Sequence, residues 1–322
     1  MPIRYHRAGE RPRRRADARK YAMTRAFRIV AMSDLHNEFE HPRGPRRATS
    51  AWFALREARR RVPGHPAVGP FLGHLSGEQI DLVVMAGDID LDEGGIAYAG
   101  QISTFLGVPV VYVMGNHEPY RGRDLELLVP KLAETARATS GQVTFLENES
   151  VTFDIGGRRL HVLGCCLWTD YRLNGTDDLQ VAEAMREAAD NLSDHVLIRQ
   201  GVDRFSPAMA RQRHGLSRAW LAREVARIRE TEGGAADIII VTHHAPIPGA
   251  NPPQFRDGKL APAFASDLRT EILDWQPTAW IWGHTHYSMQ AQVGRTRLIS
   301  AQRGYICDEP GADEFRPAVF EL

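Results

Sequence analysis

Residues 81–90 read D-L-V-V-M-A-G-D-I-D, and the reading of this run decides the fold. The segment Leu82–Ala86 is apolar, rich in valine and closed by a glycine, which predicts a short strand buried on both faces rather than a helix of so few residues. Asp88 then stands just past the C-terminal edge of a parallel sheet, where open α/β folds bind their ligands. A carboxylate carries two oxygens, so two cations can share it. Taken alone, G-D-x-D is equally the mark of a plain turn with a helix-capping Asp. The surrounding chain decides between the two.

Working outward, four more apolar segments stop in the same manner. Residues 27–32 end at Ser33-Asp34-Leu35-His36, and residues 109–114 end at Gly115-Asn116-His117-Glu118. Residues 238–241 end at Thr242-His243-His244-Ala245-Pro246, and residues 279–282 end at Gly283-His284-Thr285-His286. One H-H or H-x-H is ordinarily surface or core histidine. Five clusters of Asp, Asn and His at successive strand ends call for a common partner. Imidazole and carboxylate without thiolate suit Mn, Fe, Zn, Co or Ni and argue against a structural zinc. Residues i and i+2 leave a strand on the same side, so D-x-H and H-x-H can each converge on one ion. The ligand supply is enough for two ions and closes neither shell, leaving positions for water and substrate.

Helices are expected over residues 94–106, 124–139, 178–192 and 207–232, with Pro130 predicting a kink or a late start in the second. Three β-type segments, 143–146, 151–155 and 159–164, follow one another, two of them forming a hairpin at Gly156-Gly157. There the alternation of β and α gives way to antiparallel β, as expected where a second sheet begins. Residues 293–301, turning at Gly294, and a final strand at 318–322 are expected to close that second sheet. Residues 40–78 read as a proline-rich insertion over the sheet edge around a helical stretch at 50–62, and residues 248–263 as a surface loop near the site. Together these predict one domain over residues 26–322, with the inserted segment 40–78 and a loop cap around 168–205, preceded by a basic mobile extension at 1–25.

The chain has 322 residues, 43% of them hydrophobic, so it can bury a large core. Its formal net charge is zero, yet residues 1–25 hold nine Arg and Lys against Glu10 and Asp17. The remainder is therefore acidic, which argues against a nucleic-acid partner. Cys165, Cys166 and Cys307 have no disulfide or zinc spacing and read as small hydrophobes in a reducing compartment. No run approaches a membrane span, and no apolar segment follows the basic start before Phe27, so a soluble cytoplasmic protein without a signal peptide is expected.

D-L-H, G-D-I-D, G-N-H-E, H-H-A-P and G-H-T-H, in this order, resemble the signature of the calcineurin-like metallophosphoesterases over roughly residues 27–299. The resemblance implies an α/β fold, a four-layer αββα sandwich of two mixed sheets with its active site at the strand C-terminal ends. It implies two divalent or mixed-valence ions, the first bound by Asp34, His36, Asp88 and His286 and the second by Asp88, Asn116, His243 and His284. His117 is then the acid facing the leaving group, and His243 is taken over His244 because the first member of such a pair is the family ligand. The implied reaction is hydrolysis of a small phosphomonoester or phosphodiester, with a nuclease or a non-catalytic scaffold as the alternatives. Asp90 and Glu118 are candidates to orient a ligand or His117, and Arg303 and Tyr305 to touch the substrate. Aromatic residues in the loops, Trp168, Tyr171, Phe205 and Phe255, favour an ester with an apolar or stackable group.

Overall fold

The structure, a computed structural model, describes residues 26–39, 72–155, 157–306 and 308–322. The extension at 1–25, the helical stretch at 50–62 with most of the inserted segment, Gly156 and Cys307 lie outside the described residues. In chain order the strands are β1 (Arg28–Met32), β2 (Leu82–Ala86), β3 (Val110–Val113), β4 (Arg123–Asp124), β5 (Val143–Phe145), β6 (Glu149–Ile155), β7 (Arg158–Cys165), β8 (Ile198–Gln200), β9 (Asp203–Arg204), β10 (Asp237–Thr242), β11 (Ala279–Trp282), β12 (Met289–Val293), β13 (Thr296–Ser300) and β14 (Ala318–Glu321). The helices are α1 (Gly94–Leu106), α2 (Leu125–Ala138), α3 (Asp178–Asn191), α4 (Asp194–Leu197), α5 (Pro207–Glu232) and α6 (Arg269–Trp275).

Alternation along the strands builds four layers. Ile29, Ala31, Leu82, Val84, Ala86, Val111 and Val113 face one way and meet Val162, Ile239, Val241, Ala279 and Ile281 in a core between two sheets. Their neighbours Val30, Val83, Met85, Val110 and Tyr112 face the other way, onto Ile96, Ile102, Leu128 and Leu132 of α1 and α2. On the far side Ile238, Ile240, Trp280 and Trp282 pack against Leu221, Val225 and Ile228 of α5 and Ile272 of α6. Strands covered on both faces read as unbroken apolar runs, which is why these were found so directly.

The first sheet has the order β14-β1-β2-β3-β5, parallel except for β14, and the second the order β12-β13-β11-β10-β7-β6, parallel in its four central strands. Register then sets the site. Met32 pairs with Met85, Ala86 with Val113, and Val241 with Ile281, so the exits of all five strands lie along one edge.

Three expectations need correction. The final strand joins the first sheet, antiparallel to β1, with Phe320 in the core between the sheets. Which edge a terminal strand covers depends on a contact almost the whole chain apart, and no local pattern encodes it. The segment Val143–Phe145 also belongs to the first sheet, parallel to β3, and the second sheet is parallel inside with antiparallel strands only at its edges. Finally, of the kink or late start expected at Pro130, the late start is absent: α2 begins at Leu125, where Asp124 caps it by accepting the Glu126 amide. The helix α6 and a small sheet β4-β8-β9 had no expectation at all. Cys165 and Cys166 are buried free thiols, and among the described residues no helix is long and apolar enough to cross a membrane.

Glu147, between β5 and β6, accepts the Cys166 amide at 2.8 Å. The residue keeps part of its surface in solvent, but its carboxyl group is enclosed, and that burial pushes its pKa up to about 7. The folded state therefore holds a proton that the unfolded chain releases near pH 4.5, so stability falls as pH rises through this window to 7. Glu147→Gln should gain on the order of 1–3 kcal/mol over the wild type at pH 8, with the gain vanishing near pH 5. Paired thermal melts at the two pH values check this.

Candidate metal centre

The loops leaving the strands are tightly wound. Asp34 (φ 52°), His36 (φ 48°), Asp88 (φ 54°), His284 (φ 72°) and His286 (φ 48°) all adopt the left-handed region that side chains other than glycine rarely enter. Such conformations cost of order 1–3 kcal/mol each and persist where surrounding structure over-determines them. Here the loops brace one another: the Asp34 amide donates to Gly87, His36 to Asp88, and Gly283 to His243, each at 3.0 Å. Two glycines in the motifs are required by close approach. A Cβ on Gly115 would lie 2.0 Å from an Asp88 oxygen, and one on Gly283 would lie 2.6 Å from an Asp34 oxygen.

Hydrogen-bond logic fixes the histidine tautomers. The Nδ1 of His36 lies 2.9 Å from Glu38 Oε1, and the Nδ1 of His286 contacts Glu309 Oε1. Both carboxylates are held below the usual range: burial opposes this, but hydrogen bonds from His117 and His36 bring Glu38 down to about 2, and His286 lowers Glu309. Ionised carboxylates only accept, so both Nδ1 atoms carry hydrogen. The two Nε2 atoms then face each other at 3.0 Å, with Asp34 Oδ1 at 3.6 Å from one and Asp88 Oδ2 at 3.8 Å from the other. With both imidazoles neutral nothing in this group donates, so a cation, whether proton or metal ion, fits between them.

The same conflict recurs on the other side of Asp88. His243 gives its Nδ1 hydrogen to the Ala86 carbonyl at 2.8 Å, which turns its Nε2 toward Asn116 Oδ1 at 2.9 Å and Asp88 Oδ2 at 3.4 Å. Asn116 cannot relieve this by flipping, since its amide nitrogen donates to Asp194 Oδ1 at 2.8 Å. His284 adds a buried Nε2 with no hydrogen-bond partner. Asp88 Oδ2 thus stands between the two groups, while Oδ1 is held by the His117 amide at 2.8 Å. Among the described residues, Asp34-His36-His286, His36-Asp88-His117 and Asp88-His243-His284 each bring ligand-type atoms within 4.8 Å of one another. The donor set of imidazole, carboxylate and amide oxygen fits borderline divalent metals.

Electrostatics echo the geometry. Burial alone would lower His243 and His117, but the Asp88 carboxylate outweighs it and holds them up at about 10 and about 9. Burial keeps His36 low, and with the neighbouring His244 and His243 it keeps His284 well below its usual value. Burial likewise lifts Asp34, whereas His243, His117 and His36 overcome burial to hold Asp88 well below the carboxylate range.

The remaining candidates divide. His244 donates Nδ1–H to the Cys166 carbonyl and joins none of the three groups. Glu118 accepts the amides of Gly115, Ile89 and Asp88, so it shapes the loops that carry Asp88 and Asn116. Burial and Asp88 push it up to about 7. Asp90 accepts the Leu91 amide at 2.7 Å. Arg303 is buried and donates to the Leu35 and Ala312 carbonyls, which braces the Asp34 loop. Tyr305 places its hydroxyl 3.2 Å from His117 Nε2. Trp168, Tyr171 and Phe205 are buried in the core, so the rings around His117 are instead Tyr120, stacked at 4.1 Å, Tyr305 and the half-exposed Phe39. Glu38, Glu309 and Asp194 escaped the sequence reading, because each lies in a turn or short helix with no periodic or motif signal.

Comparison with known proteins bears on the family and the fold. The sequence profile of the calcineurin-like phosphoesterases matches residues 27–288. No curated protein matches the chain. Among solved structures, the phosphopantetheinyl hydrolase of Mycobacterium tuberculosis superposes with a TM-score of 0.61 at 15% identity, covering 92% of this chain and 96% of that one. A dimetal phosphatase from Danio rerio gives a TM-score of 0.46 at 17% identity, covering 92% of each chain. At such identities the first of these shows a shared fold. With the profile spanning most of its length and every motif within it, the chain belongs to the calcineurin-like phosphoesterase family.

Proposed function

We propose that the protein hydrolyses a P–O bond of a small phosphomonoester or phosphodiester, using one ion held by Asp34, His36, Asp88 and His286 and a second held by Asp88, Asn116, His243 and His284. The observation that carries this reading is the pair of imidazole–carboxylate clusters meeting at Asp88 Oδ2. When bound, such a pair of ions would lower the pKa of a bound water toward ~7 and would offer open positions to phosphate oxygens. The protein's own contribution is orientation. Asp194 turns the Asn116 oxygen inward, Glu118 fixes the loops of Asp88 and Gly115, and the His117 amide keeps Asp88 Oδ2 pointed at both clusters.

His117 holds a proton at neutral pH and turns Nε2 toward the Tyr305 hydroxyl, the position from which it donates to a departing ester oxygen. Tyr305 and Phe39, with ring centroids 5.2 Å apart, form an aromatic wall beside it and suit a small ester with an apolar or stackable group.

Hydrolysis of p-nitrophenyl phosphate or its bis ester should require metal: chelation abolishes it and manganese restores it. A flat response to both esters, with two equivalents of metal shown to be bound, overturns the reading. Manganese at about 100 times its Kd should raise the unfolding free energy by about 2.7 kcal/mol for each ion bound, and Asp88→Ala should remove that gain. His117→Ala should cut kcat on phenyl phosphate by ~10²–10⁴-fold while metal content stays constant.

A further inference from the structure

A buried carboxylate outside the five motifs contacts two of their histidines. Glu38 sits on the 3₁₀ turn Asn37–Phe39 directly after His36, and the turn is held by Asn37 N–H to Ile89 O at 2.9 Å and Phe39 N–H to His36 O at 3.1 Å. Its carboxyl group is buried, with only 6% of the side chain exposed. One oxygen, Oε1, lies 2.9 Å from the Nδ1 of His36 and also 2.9 Å from the Nδ1 of His117. The other, Oε2, is buried without a hydrogen-bond partner. The two imidazoles meet edge to face with centroids 4.5 Å apart.

A single oxygen between two ring nitrogens acts as acceptor to both. That forces hydrogen onto both Nδ1 atoms and turns both Nε2 atoms into the site, one toward His286 and one toward Tyr305. The His117 ring is otherwise held by stacking on Tyr120 and by its contact with Tyr305, neither of which selects a tautomer. We propose that Glu38 is the positioning residue of the reaction proposed above, a carboxylate that ties the metal-facing His36 to the proton-donating His117 and sets the ring and tautomer of both. It touches neither substrate nor the reacting atoms, and acts through the two histidines.

The test compares phenyl phosphate, whose phenolate needs a proton to leave, with 2,4-dinitrophenyl phosphate, whose leaving group needs none. Glu38→Leu, which removes the acceptor, and Glu38→Gln, which keeps volume and a weaker acceptor, are measured with manganese and with metal content determined. Expected for Glu38→Leu is a ~10–100-fold loss of kcat on phenyl phosphate, at least tenfold larger than its loss on the dinitrophenyl ester, with Glu38→Gln falling between it and the wild type. In a His117→Ala background the same changes should cost nothing further on phenyl phosphate. A parallel loss on both esters, or an undiminished loss without His117, overturns the proposal and leaves Glu38 a structural residue. Independently of turnover, ¹⁵N-histidine NMR of the full chain should show a hydrogen-bonded Nδ1 proton that disappears in His117→Ala and in Glu38→Leu. A wild-type His117 whose Nδ1 carries no proton also overturns the proposal. A wild-type protein that cleaves neither ester, with the NMR signal present, would instead strike the phosphoesterase reading and leave the Glu38 contact standing.

Discussion

Everything about the centre depends on one constraint: the outward nitrogens of His36, His243 and His286 are already committed as donors to Glu38, the Ala86 carbonyl and Glu309. Their inward nitrogens are left as lone pairs among oxygens that also only accept. A buried polar cluster of this kind is costly unless something positive completes it. Protons can serve: the Asp88 carboxylate raises His243, and Glu309 with Asp34 raises His286, both despite burial, and metal ions would serve better. The left-handed turns at Asp34, His36, Asp88, His284 and His286 are the backbone side of the same arrangement, since they bring the ligands close enough to conflict.

Two sheets facing each other, parallel in their central strands, make this possible. Each contributes strand exits at one edge, and the amide of His284, from the second sheet, clamps both oxygens of Asp34, from the first, at 2.9 and 3.1 Å. The candidate metal centre therefore spans both sheets of the sandwich. Binding there should be felt across the core of Ile29, Val84, Ile239 and Ile281 that lies behind it.

Much of this was legible in the sequence because the signals were local. A run such as Leu82–Ala86 can only be buried on both faces, and a ligand-type residue after it can only be at a strand exit. The helices Gly94–Leu106 and Pro207–Glu232 were found with their observed ends, the first stopping at the left-handed Gly107, the second opening with Pro207 behind a Ser206 cap. What stayed hidden was fixed by distance in the chain or by irregular backbone. The edge chosen by Ala318–Glu321 depends on pairing with β1, and Asp194 reaches Asn116 across 78 positions. Glu38 lies on a three-residue turn, where neither periodicity nor motif spacing speaks. Trp168, Tyr171 and Phe205 misled because loop aromatics were read as available to substrate, whereas they fill the core.

The most direct test is the anomalous scattering of manganese in a crystal of the protein grown with that ion. The account predicts two peaks ~3.5–4 Å apart, with Asp88 Oδ2 between them, one beside His36 and His286 and the other beside Asn116, His243 and His284. No peak within bonding distance of Asp88, or a single ion bound elsewhere on the surface, would contradict it.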